Sequence, residues 1–260
     1  MNNLYKVFHQ YFEIVIADTP ELLEKVFCIR YQLICVDMGV PGYEPSLYPD
    51  GLERDDYDRH SAHILIRYRP SGQFIGTARL ILFDQERPEK PFPVELHTNI
   101  DPNLFDISQF SRRHTGEISR FIIVKDFERR KAERRNYDTR QTNKNIVEID
   151  RRSNDKTDRR CIKNLTLVLG AGIMRVSEKF NVHNWFSIMD PVMNRLLGYY
   201  GMDLRPIGPI TEHHGLRRPY FVEVASMSAK VKKKHIDAWE AITEYGKYSR
   251  FLQNKYSQDT

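Results

Sequence analysis

The chain has 260 residues, 40% hydrophobic and 29% charged, enough for one large globular domain without requiring a second. The formal charge of +5 has one source: residues 125–160 carry 13 Lys or Arg against 8 Asp or Glu, and the remaining 27 basic and 27 acidic residues balance. A basic surface everywhere is therefore excluded, and nucleic-acid binding is disfavoured, because the basic segment offers only Phe127 and Tyr137 for base stacking. The longest apolar stretch, 165–174, is too short to span a bilayer, and the N-terminus lacks the pattern of a secretory signal. Cys28, Cys35 and Cys161 form no CxxC pair, which fits a reducing compartment; a cytoplasmic location is expected, with at most peripheral membrane contact.

In chain order, β-branched residues at 14–16 predict a short strand over 12–17. Thr19 and Pro20 read as an N-cap and first helical residue, and Leu22, Val26, Ile29 and Leu33 continue a helical stripe ending near Gly39. Residues 41–51 are a Gly-, Pro- and Tyr-rich loop closed by the acidic cluster 53–58. Segments 63–69 and 74–83 predict an antiparallel hairpin turning at Ser71–Gly72. After the breakers Pro88, Pro91 and Pro93, a further strand is predicted over 117–124.

Residues 125–160 lack any sustained apolar period and read as a charged insertion, disordered or only partly helical. A helical stripe resumes at Leu165, Leu169, Val176 and Phe180, interrupted by Gly170 and Gly172. A strand over 184–189, a helix over 191–200 stopped by Gly201, and strands over 204–210 and 220–225 around a turn at His214–Gly215 follow. One basic amphipathic helix over about 230–252 ends the chain. The order predicts an α/β mixed sheet with helices on its faces, built as a single domain over 1–260.

Four short segments stand out together: Arg30 in CIRYQLIC, ERDDYD at 53–58, GTARL at 76–80 and EISRF at 117–121. In this order and spacing they resemble the acyl-homoserine lactone synthases and their relatives, the long-chain N-acyl amino acid synthases. The tail PIGPITEHHGLRRPY, 206–220, resembles acyltransferases associated with bacterial exosortase systems. The resemblance implies a GNAT-like fold, a mixed and mostly antiparallel sheet with a V-shaped opening between strands 117–124 and 184–189 that holds a thioester. It implies an N-acyltransferase that joins a fatty acyl group to the amine of an amino acid or similar small amine. A lactone (autoinducer) synthase is the alternative enzyme, and a non-catalytic binder of acyl carrier protein or of a membrane surface is the alternative outside enzymes.

By the same resemblance Glu117 is the general base, or positions a water that acts as one, and Arg30, Asp55, Asp58, Arg79 and Arg120 shape the acceptor site. The competing readings are that Glu117 is a rim carboxylate paired with Arg79 or Arg120, and that three arginines and three carboxylates form a buried network that only pins the N-terminal region to the sheet. Side-chain alternation puts Glu117 and Arg120 on opposite faces of their strand unless a bulge, typical of the superfamily there, intervenes.

Two departures from pattern narrow the substrates. The lactone synthases carry aromatics where this chain has Ile34 and Val40, which favours an amino acid over S-adenosylmethionine. Coenzyme A-using acetyltransferases follow the equivalent strand with a glycine loop that cradles pyrophosphate, whereas no glycine stands between Val124 and Gly170 here. Acyl carrier protein, with its acyl-phosphopantetheine arm and no separate cofactor, is the expected donor. The basic segment reads first as a solvated insertion; if it has a partner, Arg129, Arg130, Arg134 and Arg135 dock the carrier protein by charge complementarity.

Smaller signals read as structural. His60 and His63 beside Asp58, and Glu212 with His213 and His214, lack a third convergent ligand, so no metal is assigned. The apolar stripe of the Leu165 helix reads as core rather than acyl tunnel, and Gly170 and Gly172 read as helix-packing positions.

Overall fold

The computed structural model describes residues 4–124 and 165–254. The charged segment 125–160, with Arg129, Arg130, Arg134 and Arg135, lies outside the described residues. The chain opens with helix α1 (Leu4–Tyr11) and strand β1 (Phe12–Ile16), then α2 (Pro20–Arg30), capped by Thr19 Oγ accepting from the Leu22 amide. α2 does not run on to Gly39: after Arg30 it widens into a π-helical turn over Tyr31–Asp37, with the Met38 amide bonded five residues back to Leu33.

Strands β2 (Ser61–Tyr68) and β3 (Gln73–Ile81) form the expected hairpin, and α3 (Pro93–His97) precedes β4 (Thr115–Ile123). The second half holds α4 (Leu165–Lys179), β5 (Asn184–Met189), α5 (Pro191–Tyr199), β6 (Arg205–Pro206), β7 (Thr211–Glu212), β8 (Leu216–Glu223), α6 (Val224–Lys234) and α7 (Ile236–Thr243).

The sheet order is β1-β2-β3-β4-β5-β8-β6, with β7 paired to β8. All neighbours are antiparallel except β4 and β5. This is the mixed, mostly antiparallel α/β architecture that the sequence predicts. One face packs against α1, α4, α6 and α7 around Ile64, Leu80, Leu167, Leu169 and Trp185. The other carries α2 over Leu65 and, farther along, an aromatic cluster of Phe92, Phe105, Phe186 and Phe221.

Two expectations fail for local reasons. The segment 204–210 contributes only the two-residue β6, because Pro206 and Pro209 remove ladder donors. The C-terminal helix is not continuous: it breaks at His235 (φ −146°, ψ 85°) and again at Glu244–Gly246, all three with positive φ, before a final 3₁₀ turn over Lys247–Asn254.

Helix α4 runs unbroken through both glycines and is apolar nearly all round, so it is buried on most of its circumference. A Cβ on Gly172 would lie 2.6 Å from Ile64 Cγ2, so the glycine lets the helix axis settle onto β2. Gly172→Val is expected to cost about 1–3 kcal/mol by overpacking that contact, read as a lower urea midpoint at unchanged m-value.

Candidate functional site

The site starts at the β4–β5 pair. Their parallel ladder extends only from Thr115/Asn184 to Ile118/Ser187, and Ser187 Oγ donates to the Ile118 carbonyl (3.2 Å) where it ends. Beyond that point the strands part. A cavity of about 330 Å³ passes through the sheet at the split, a size typical of small-molecule sites. Its walls come from both faces: Arg79, Glu117, Ser119 and Arg120 on one side, Gly170, Ile173, Trp185, Met202 and Met227 on the other. The Leu165 helix is therefore both core and cavity wall, a correction to its reading as core alone. Gly170 faces Met202, whose Cε would lie 2.8 Å from an added Cβ.

The polar wall is an ion lattice. The sequence ERDDYD folds into a reciprocally capped 3₁₀ turn, in which Asp55 Oδ1 accepts from the Tyr57 amide (2.9 Å) and Asp58 Oδ2 from the Asp55 amide (2.7 Å). That turn aims its carboxylates at three arginines. Arg30 bonds Glu53 through Nε and Asp58 through Nη1 (2.7 Å). Arg79 Nη1 bonds both Asp58 (2.7 Å) and Asp55 (2.6 Å), while Arg120 Nη2 bonds Asp55 (3.2 Å) and Glu53 (2.7 Å). The six charges thus close into a ring of alternating sign. Arg30 and Glu53 have 0% side-chain exposure.

Arg120 reaches the ring because β4 carries the bulge. Arg120 and Phe121 together oppose Ala78, between the pairs Thr77–Ile122 and Arg79–Ser119, and Arg120 has φ +50°. Strict alternation would have turned it to the opposite face from Glu117. Arg79 Nε donates to Ser119 Oγ (2.9 Å), which seats the same register.

Burial would raise the carboxyls of the ring, but the arginines outweigh it. Hydrogen bonds from Arg120 and the Arg30 charge hold Glu53 down at about 2, and Arg30 and Arg79 hold Asp58 well below the usual range. His63, stacked edge-on to Phe27 and 3.7 Å from Asp58, is pushed down to about 4 by burial and stays neutral.

Glu117 belongs to a different environment. Neither Arg79 nor Arg120 pairs with it, which overturns the rim ion-pair reading. It is buried, and Oε2 accepts one hydrogen bond from the Val94 amide (2.9 Å) at the start of α3. Burial lifts its carboxyl to about 8 against the lowering effect of that bond and of Arg79. The third carboxylate of the ring is Glu53, which the motif contains but the site reading leaves out; its place as first residue of ERDDYD, opposite Arg30, was the available signal.

Of the expected residues, Arg30, Asp55, Asp58, Arg79 and Arg120 are brought together, and Arg79, Arg120 and Glu117 also line the cavity. Ile34 and Val40 line it too, from the π turn and the following loop. His213 and His214, read from the sequence as structural, complete the mouth together with His97 and Tyr43, which the sequence does not single out. His213 stacks on His97 at 4.5 Å, His214 Nδ1 meets the Pro41 carbonyl at 2.6 Å, and Tyr43 lies under the Arg120 guanidinium at 4.9 Å. Among the described residues no His, Cys, Asp or Glu cluster has the geometry to hold a metal ion, and no helix is long and apolar enough to cross a membrane.

Residues 29–137 match the family model described as an acetyltransferase (GNAT) domain. No curated protein matches the chain in sequence. Among solved structures, the CoA-dependent acyl-homoserine lactone synthase BjaI, determined with SAM and isopentyl-CoA, superposes with TM-score 0.53 at 16% identity, over 88% of this chain and 89% of that one. The AHL synthase LasI gives 0.51 at 17%, over 86% and 94%. FeeM, an N-acyl amino acid synthase from uncultured soil microbes, gives 0.50 at 9%, over 84% and 93%. At these identities the likeness is one of fold.

The two carboxyl environments predict opposite pH responses of stability. Glu53 is depressed when folded, so its contribution is complete above the unfolded value near 4 and is lost as pH falls toward 2. Glu117 is raised, so its contribution is complete below about 4.5 and is lost as pH rises through about 8. Denaturant titrations should show Glu117→Gln removing the decline between those limits. Glu53→Gln should cost about 3–5 kcal/mol at neutral pH, because it leaves Arg30 and Arg120 short of a buried partner.

Proposed function

We propose that the chain is an N-acyltransferase that moves a fatty acyl group from an acyl carrier protein thioester to the amine of an amino acid or similar small amine. The observation that carries this reading is Glu117: a buried carboxyl bonded to no arginine, on the wall of a cavity that opens where β4 and β5 part. A thioester is already activated, so the protein must align the amine, take its proton and stabilise the developing oxyanion. In the proposed step the amine nitrogen bonds to the carbonyl carbon and the carbon–sulfur bond breaks. The amine proton passes to Glu117, directly or through a water, and from there to the departing pantetheine sulfur, which leaves as the thiol. The edge of β4 beyond Ile118, released from β5, offers main-chain groups to an extended pantetheine arm. The apolar wall of Trp185, Met202 and Met227 receives the acyl chain.

The donor reading is supported by the absence of glycine between Val124 and Gly170, which leaves no sequence for a pyrophosphate loop. The acceptor reading is supported by Ile34 and Val40, aliphatic side chains on the cavity wall where the resembling lactone synthases place aromatics. Arg30, Asp55, Asp58, Arg79 and Arg120 act in this scheme as the rigid wall against which the acceptor is held. Arg129, Arg130, Arg134 and Arg135 remain the proposed contact for the carrier protein.

Purified protein given long-chain acyl carrier protein or acyl-CoA, with amino acids or S-adenosylmethionine, should yield N-acyl amino acids by mass, from the carrier protein in preference. Acyl-homoserine lactone as the product would make the chain a lactone synthase instead, and no acylated amine at all would sink the enzyme reading. Glu117→Gln should lower kcat by about 10²–10⁴-fold with little change in donor KM. In the wild type kcat/KM should rise through about pH 8, as Glu117 ionises, and the variant should lose that limb.

A further inference from the structure

The ITEHHGLRR segment lies at the mouth of the cavity, and the acyl-transfer step above makes no use of it. It supplies Arg217, one of three arginines on the cavity wall with Arg79 and Arg120. The other two are committed to the ring, each bonded to two carboxylates. Arg217 is not. It stands on β8 next to Arg218, the partner of the last residue of β5, so the β5 ladder has ended where Arg217 pairs instead with Thr211 of β7. Its nearest carboxylate oxygen is Asp190 Oδ2 at 3.9 Å, too far for a hydrogen bond. The other Asp190 oxygen caps α5 by accepting from the Val192 amide at 2.7 Å. Among the described residues the guanidinium makes one hydrogen bond, a long contact from Nη1 to the Leu216 carbonyl at 3.4 Å. Its side chain is 31% exposed, Asp190 is half-exposed, and the pair is therefore weak and readily exchanged.

An incoming carboxylate would have to displace Asp190, which shares the cavity wall with Arg217, from its 3.9 Å contact. The ring sums to zero charge, and His213 beside the mouth is uncharged at neutral pH, since burial pushes it down to about 4. A guanidinium presents a planar fork of donors that matches a carboxylate in two-point contact.

We propose that Arg217 is the binding site for the carboxylate of the acceptor, so that the amine acylated by this chain is a carboxylate-bearing one and its decarboxylated counterpart is a poor substrate. This rests on the acyl-transfer reading and adds to it the residue that selects the acceptor class. Arg217 is a binding residue in this scheme and takes no part in proton transfer.

The test uses matched acceptors that differ only by the carboxylate, L-tyrosine with tyramine and L-leucine with isoamylamine, on the full chain and its Arg217→Gln variant. The wild type should show the lower KM for each amino acid. The variant should raise amino acid KM by about 10–100-fold, the range for a lost hydrogen bond to a charged group, while leaving donor KM and the decarboxylated acceptors unchanged. Arg217→Lys should recover part of the loss. A second arm needs no turnover: calorimetry with N-dodecanoyl-L-tyrosine and N-dodecanoyltyramine should show the variant weakened only toward the first. Acylation without preference for the carboxylate, or equal effects of the substitution on both members of a pair, overturns the assignment of Arg217. Acylation of no amine, with no distinction between the two calorimetric ligands, overturns the acyl-transfer reading together with it.

Discussion

Six side chains of alternating charge, closed head to tail as Arg30–Glu53–Arg120–Asp55–Arg79–Asp58, are the constraint on which the site depends. Burying any one of them alone would cost several kcal/mol, by about the magnitude expected for an unpaired ion. The closed arrangement gives each charge two opposite neighbours. Its members come from the end of α2, the capped turn, β3 and β4, so the ring fastens four separate pieces of chain at one point. It also holds the positive φ of Arg120, a conformation that strains a residue with a Cβ by about 1–3 kcal/mol unless its surroundings fix it.

The ring has a second effect through what it leaves out. Because its charges cancel, its field falls off faster than that of a single arginine, and Glu117 nearby is governed mainly by burial. A carboxyl bonded to one of those arginines would ionise in the acid range, as Glu53 does, and would be too weak a base to take a proton from an amine. Keeping Glu117 apart, with one backbone amide as its partner, sets it in the range where it exchanges protons near neutral pH. The same sheet face thus carries two kinds of carboxyl, sorted by whether an arginine reaches them.

Much of this was legible in the sequence because short-range rules decide it. The Thr19–Pro20 start of α2, the hairpin at Ser71–Gly72, the β5 strand and the Gly201 stop follow from capping, turn and alternation chemistry. The motif residues were identifiable as a set through resemblance, and all of them converge. What resisted reading depends on tertiary contacts. Glu53 joins the ring and Glu117 does not because one meets arginines and the other the Val94 amide and the cavity, which no local pattern encodes. The π turn after Arg30 and the loop that follows it present Ile34, Met38 and Val40 to the cavity, and an ordinary helical stripe would have hidden that. The break at His235 lies inside a continuous amphipathic pattern, and nothing in the local pattern distinguishes Arg217 from Arg218 beside it.

The methionines on the cavity wall, Met189, Met193, Met202 and Met227, contrast with the ring in how each part of the site tolerates change. Unbranched thioether side chains re-pack around a substitution at small cost, so single mutations there reshape the cavity while leaving the fold intact. The ring offers no such freedom, since replacing one member strands two others, and a viable change needs a compensating partner. Descendants of this sequence should therefore diversify first in the shape of the cavity, by single steps, and should alter the charged wall only through paired replacements.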